Sequence, residues 1–205
     1  MVRYICLCAL LMDWEVALAT PDYTQWKLQH EENSIQVYTL DVKKSDLLKA
    51  RAVAVITAPM KDIQQVIDDI DNRHEWVPYL RKSERVAVIS DTRRIEYSVF
   101  KAPWPASDRD FVYELQILKA TENYLIYKMV SVDNALVAEK NSIIRAELFE
   151  CVYSLTAISE NTTGIEVIYY ADPKGWLPDW LVNIIQVKFP YRILLNLQSR
   201  FNGTL

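Results

Sequence analysis

The chain has 205 residues, 51% of them hydrophobic and 24% charged, with a formal net charge of −4. That length suits one domain with a sizeable core, and the acidic balance argues against a nucleic-acid partner, because no surplus of lysine and arginine is left to neutralise phosphates. Only three glycines are present, Gly164, Gly175 and Gly203, which excludes glycine-rich phosphate loops and dinucleotide fingerprints.

The first nineteen residues have the pattern of a signal peptide. Arg3 gives a positive start, residues 4–12 form an apolar run, and Ala17-Leu18-Ala19 offers a small-x-small cleavage site. Asp13 and Glu15 depart from that pattern. The alternatives are an ordinary N-terminal helix or an unstructured start. The run is too short to span a bilayer. Cleavage would leave residues 20–205 as a single domain, exported to the periplasm or beyond, and otherwise the protein is cytoplasmic. Cys6 and Cys8 would leave with the leader, so Cys151 is expected as a lone, buried, inert thiol with no disulfide.

Residues 23–32 suggest a short helix anchored by Trp26, followed by a turn at Asn33-Ser34. Alternation predicts strands over 35–42 and 47–57, and apolar residues at helical spacing predict a helix over 60–70. An irregular stretch, 71–81, precedes a hairpin of strands 82–90 and 93–100 turning at Asp91-Thr92. Residues 101–108 hold Pro103 and Pro105 and cannot continue a central strand. Further strands are expected over 111–118, 124–132, 143–158 and 165–171, joined by polar turns.

The chain closes with one long apolar stripe over 175–201, in which Leu177, Leu181, Ile184, Ile185, Phe189, Ile193, Leu194, Leu197 and Phe201 recur at helical steps. Pro178 and Asp179 fit a first turn, and Gly203 is a stop signal. Pro190 interrupts the stripe, removes the hydrogen bond to residue 186 and predicts a kink. Strand runs with helices outside them indicate an α+β fold. The long helix needs a broad surface to lie on, so we read it as closing a curved sheet over a cavity.

Three stretches in order then carry a resemblance: WKLQHEENSIQVY (26–38), APWPASDRDFV (102–112), and IRAE (144–147) with KGWLPDWLVN (174–183). They resemble the START domain, the lipid-binding module of the helix-grip (START/Bet v 1-like) fold, here as a bacterial-type single-domain member. The resemblance implies a curved antiparallel β-sheet wrapped around the C-terminal helix, with an internal apolar cavity for one lipid such as a sterol or phospholipid. It implies a gate formed by the 101–108 loop (Lys101, Pro103, Pro105) and the C-terminal helix; Pro190, by removing backbone bonds that resist bending, would supply a hinge. A lipid gains about 0.8 kcal/mol for each methylene taken out of water, so carriage needs no catalytic group.

Glu96 matches an acid that some family members place in the cavity, but alternation also allows a solvent-facing stripe of Arg94 and Glu96. Leu115 stands where some members carry arginine. Arg145 matches a family arginine and is either a cavity residue or a structural ion-pair partner. Trp104, Trp176, Leu181 and Ile185 are the remaining ligand-lining candidates; for each tryptophan, plain core is the competing reading. Arg109 and Asp110 read as a loop anchor and Trp76 as a core plug. His30 and His74 are isolated, and no metal-ligand spacing occurs. The expectation is a monomeric, non-enzymatic carrier of a hydrophobic small molecule, with no cofactor and a transient membrane surface as partner. The rival from another class is an enzyme of polyketide cyclase/aromatase type using Glu96, Arg145 or a histidine. A third reading is an interaction module whose cavity has filled.

Overall fold

The computed structural model describes residues 24–133, 135–177, 181–182 and 184–202. The leader expected over 1–19, Pro178, Asp179 and Gly203 lie outside them. The first described element corrects the sequence reading. Residues Lys27–Glu32 form strand β1, not a helix. They pair with β2 (Ile35–Asp41) across Asn33 and Ser34, both at positive φ (52° and 59°). Positive φ at both central positions defines the two-residue turn whose twist suits a hairpin. Lysine, glutamine and glutamate favour helix weakly, and pairing to a neighbouring strand overrides that preference. The resulting edge strand is charged and mostly exposed, which discourages a second chain from adding to it.

β3 (Leu48–Ile56) follows, then α1 (Met60–Asp68), which buries Ile63 and Ile67 on one face. A 3-10 turn at Arg73–Glu75 leads into the β4 (Leu80–Ser90) and β5 (Arg93–Phe100) hairpin. β6 (Asp108–Ala120) and β7 (Tyr124–Ser131) continue the antiparallel series. The strand expected over 143–158 is divided. β8 (Ile143–Arg145) runs parallel to the start of β6, and β9 (Glu147–Ser159) pairs antiparallel with β7 and β10 (Thr162–Asp172). Between them, the Ala146 N–H donates to the Asp110 carbonyl at 3.0 Å, bending the chain from one partner to the next.

The strands form one sheet in the order β1-β2-β3-β10-β9-β7-β6-β5-β4, with β8 beside β6. A flat path of nine strands would part its edges by roughly 38 Å. Yet adjacent residues of one helix, α2 (Phe189–Phe201), reach both ends. Tyr191 accepts from Asn33 at 2.7 Å, beside β1, and Arg192 donates to Tyr79 at 2.7 Å, just before β4. The sheet is therefore curled around α2. Ala50, Ala52 and Ala54 on β3 are buried, and their small side chains give the helix room to pack. Ile193, Leu194 and Leu197 fill the core from the other side, each side chain contributing about 1.5–3 kcal/mol by burial.

The continuous helix expected over 175–201 is also corrected. Gly175 to Leu177 are not helical, and Lys174 and Gly175 have positive φ (47° and 66°). A side chain at Gly175 would meet Ile144 at 2.8 Å. Leu181 and Val182 are helical, Ile184–Lys188 form a π-helical turn, and α2 begins at Phe189. Pro190 is buried in the first turn of α2. The wider π turn takes up the break that the missing proline N–H imposes, in place of a simple kink. No helix among the described residues is long and apolar enough to cross a membrane.

Candidate ligand cavity

Two chambers lie between the concave face of the sheet and the C-terminal segment. The outer one encloses about 680 Å³, part of it open to solvent. Its mouth is lined by Lys101, Ala102 and Pro103 from the loop after β5, and by Leu177, Leu181, Ile184 and Ile185 from the segment before α2. The inner chamber, about 620 Å³ and also partly open to solvent, reaches toward α1 and the 3-10 turn. Both are lined by Phe100, Phe111, Tyr169 and Phe189. These rings touch in series: Phe111–Phe100 centroids are 5.7 Å apart, Phe100–Phe189 5.9 Å and Phe189–Tyr169 5.4 Å. They form an aromatic neck between the two chambers.

The deep end is polar. Glu96 is fully buried and both its oxygens are occupied. Oε2 accepts from Arg73 Nη1 at 2.5 Å and from the Tyr113 hydroxyl at 3.0 Å, and Oε1 accepts from Arg94 Nε at 2.6 Å. Arg94 also donates to Asp68 at 3.0 Å, and Tyr127 donates to the other oxygen of Asp68 at 2.9 Å. Arg73 Nη2 donates to the Ile67 carbonyl at 3.1 Å. Burial pushes the Glu96 carboxyl up, but Arg73 and Arg94 outweigh it and hold the group below its ordinary range. Burial pulls Arg73 down, and Tyr113 and Glu96 more than restore it. Burial pushes the Cys151 thiol, which lines the inner chamber, up to about 12, so it stays protonated and unreactive.

The structure places the sequence-selected residues as follows. Leu181 and Ile185 line the outer chamber with Lys101 and Pro103. Glu96 lies behind the inner wall formed by Arg73, Ser98 and Tyr113. Arg145 does not line either chamber. It holds Asp110 with two bonds, 2.8 and 3.2 Å, and Asp110 also accepts from Tyr97 at 3.0 Å. Tyr97 belongs to a separate buried cluster with Val99 and Val112 on the opposite face of the sheet. Trp104 and Trp176 lie outside the cavity wall, 90% and 68% exposed. Pro105 is in the mouth loop but not among its lining residues, and Pro190 is buried in α2 and lines neither chamber.

Arg109 joins the two sides of the mouth. Its guanidinium donates to the carbonyls of Ser107, Pro173, Lys174 and Trp176. Those bonds hold the backbone before Leu177 in its irregular path. Trp76 is buried against the inner chamber. The residues that sequence reasoning missed are Arg73, the neck, and the tyrosines of β6, β9 and β10. Arg73 falls in a stretch without periodicity and gave no signal. Phe100 and Phe111 flank the proline-bearing loop, and that position could have marked them.

The sequence matches the START domain family over residues 9–186. The chain belongs to this family. Mus musculus phosphatidylcholine transfer protein is 26% identical over 162 residues, covering 77% of this chain and 75% of its own. The Homo sapiens StAR-related lipid transfer protein 5 shares the START fold with a TM-score of 0.81 at 18% identity, over 89% of this chain and 88% of that one. A STAR-related lipid transfer protein fragment from Xanthomonas axonopodis matches with a TM-score of 0.73 at 26% identity, over 87% and 99% of the two chains. More distantly, an aromatase/cyclase from Streptomyces has a TM-score of 0.51 at 8% identity, over 76% of this chain and 91% of its own, a likeness of fold alone.

Proposed function

We propose that this protein is a monomeric lipid carrier that holds one hydrophobic molecule across the two chambers and exchanges it through the mouth between Lys101, Ala102 and Pro103 on one side and Leu177, Leu181, Ile184 and Ile185 on the other. The observation that carries this reading is the cavity itself: an apolar outer chamber, an aromatic neck and a small polar end, the layout of a site for a long apolar body with one polar head. Relatives named as phosphatidylcholine and StAR-related lipid transfer proteins support it.

Carriage is favoured over catalysis by the state of Glu96. A general acid needs a raised pKa and a free oxygen, whereas Glu96 is held low with both oxygens bonded. The exposed rings of Trp104 and Trp176 flank the mouth and suit the headgroup layer of a membrane, where an apolar ring with a polar N–H is at home. Cleavage of the leader over residues 1–19 would place the carrier in the periplasm or outside the cell, and N-terminal sequencing of the protein from its host tests this.

Transfer of a fluorescent lipid between vesicles tests the function. The parent protein should accelerate transfer, and Leu181→Arg, which puts a charge in the mouth, should abolish it with the fold intact by circular dichroism. A double Trp104→Ala, Trp176→Ala variant should bind vesicles more weakly. Equal transfer by parent and Leu181→Arg contradicts the reading.

A further inference from the structure

Resting on the reading of the cavity as a lipid site, we propose that the inner chamber receives an uncharged, hydroxyl-bearing head held by Tyr153, and that it rejects phosphate and carboxylate heads. Two independent observations lead there, one about charge and one about an unmet hydrogen bond.

The charge at the deep end is already balanced. Arg73 and Arg94 face Glu96 and Asp68, and the four side chains are bonded in one chain from Arg73 through Glu96 and Arg94 to Asp68. Burying an anion requires a cation to offset it, and this network has none to spare. A phosphate drawn to the remaining N–H groups of Arg73 would lie beside Glu96 and meet like charge. A neutral oxygen meets no such penalty and can accept from the same N–H groups.

Tyr153 supplies the second observation. It is 5% exposed and lines the inner chamber. Its near neighbours Arg73 and Tyr113 are bonded to Glu96 and to each other. The Tyr153 hydroxyl itself makes no hydrogen bond to any described residue. A polar group on a cavity wall gains from a partner, so an unpaired phenol that lines the chamber marks a place for a ligand oxygen. Burial keeps this phenol protonated, well above its usual range, so it acts as donor and acceptor toward an alcohol. The groups facing it are Arg73, Tyr113, Cys151 and Tyr169, and the only charge among them, Arg73, is matched by Glu96.

A polycyclic alcohol and an acyl-chain alcohol share this head chemistry, and one experiment separates them. The full protein is incubated with vesicles of equimolar phosphatidylcholine, phosphatidylglycerol, cholesterol and diacylglycerol, re-isolated, and its lipid identified by mass spectrometry. The expected result is enrichment of an alcohol over both phospholipids: cholesterol for a polycyclic ligand, diacylglycerol for an acyl one. Tyr153→Phe should weaken affinity for that alcohol about five-fold, the scale of a hydrogen bond between neutral groups. The unfolding temperature of the empty protein should not drop, since that hydroxyl bonds nothing in the fold. Enrichment of a phospholipid overturns the inference while leaving the carrier reading intact, and so does an alcohol bound equally well by Tyr153→Phe. Recovery of no lipid overturns the carrier reading and this inference with it.

Discussion

The two halves of the C-terminal segment are built from the same apolar stripe but held in different ways. α2 is fastened along its length: Tyr191 to Asn33 and Glu32, Arg192 to Tyr79, Asn196 to the Trp76 carbonyl, Gln198 to the Val55 carbonyl, and Arg200 to Glu75. The side chains of Leu181, Val182, Ile184, Ile185, Val187 and Lys188 make no hydrogen bond to another described residue, and Leu181, Ile184 and Ile185 rest against the outer chamber. The π turn and Pro190 mark the boundary. We propose that opening falls to the first half, with α2 acting as the fixed post and only the upstream segment and the 101–107 loop parting.

The largest loss is expected where the buried charges meet at the deep end of the cavity. Glu96→Ala leaves Arg73 and Arg94 buried without their shared anion and should cost about 3–5 kcal/mol in urea unfolding. Next comes Leu194→Ala in α2, fully buried, which should cost about 2–5 kcal/mol. Ile185→Ala, already facing empty space, should cost under about 1.5 kcal/mol, because little new cavity forms. Similar losses at both positions would erase the distinction between the halves. Two cross-links then sharpen it. A short bis-maleimide joining Pro103→Cys to Leu181→Cys should slow lipid transfer at least about tenfold, equivalent to about 1.4 kcal/mol. The same reagent joining Glu75→Cys to Arg200→Cys, at the post, should leave transfer unchanged.

The smallest effect is one of pH. Glu96 has a lowered pKa in the folded state, so its contribution to stability is complete above its unfolded value of about 4.3 and fades as pH falls through the folded value below it. Unfolding free energy should be flat in this group's contribution from pH 7 to 5 and decline under pH 4. Glu96→Gln should remove that part of the acid sensitivity.

The strands β2 to β7, the mouth loop and the stripe of Leu181, Ile185 and Leu194 were legible because period and punctuation act locally. β1 was not, since its residues lack an apolar face and only pairing with β2 decides its form. The facing of Glu96 was hidden for a related reason. Four consecutive residues of β5, Glu96 to Val99, are buried, because the cavity lies on one face and the Tyr97 cluster covers the other. A strand buried on both faces carries no alternation to read. Arg73 and Tyr153 acquire their roles only when the turn after α1 and strand β9 are brought to one chamber by the curl of the sheet. The likeness in motifs supplied the fold, while the composition of the deep end had to come from three dimensions.

Native mass spectrometry of the protein purified from its own host tests the central claim most directly. One lipid per chain is expected, released on unfolding and lost in the Leu181→Arg variant. A ligand-free chain that still takes up no lipid from vesicles would contradict it.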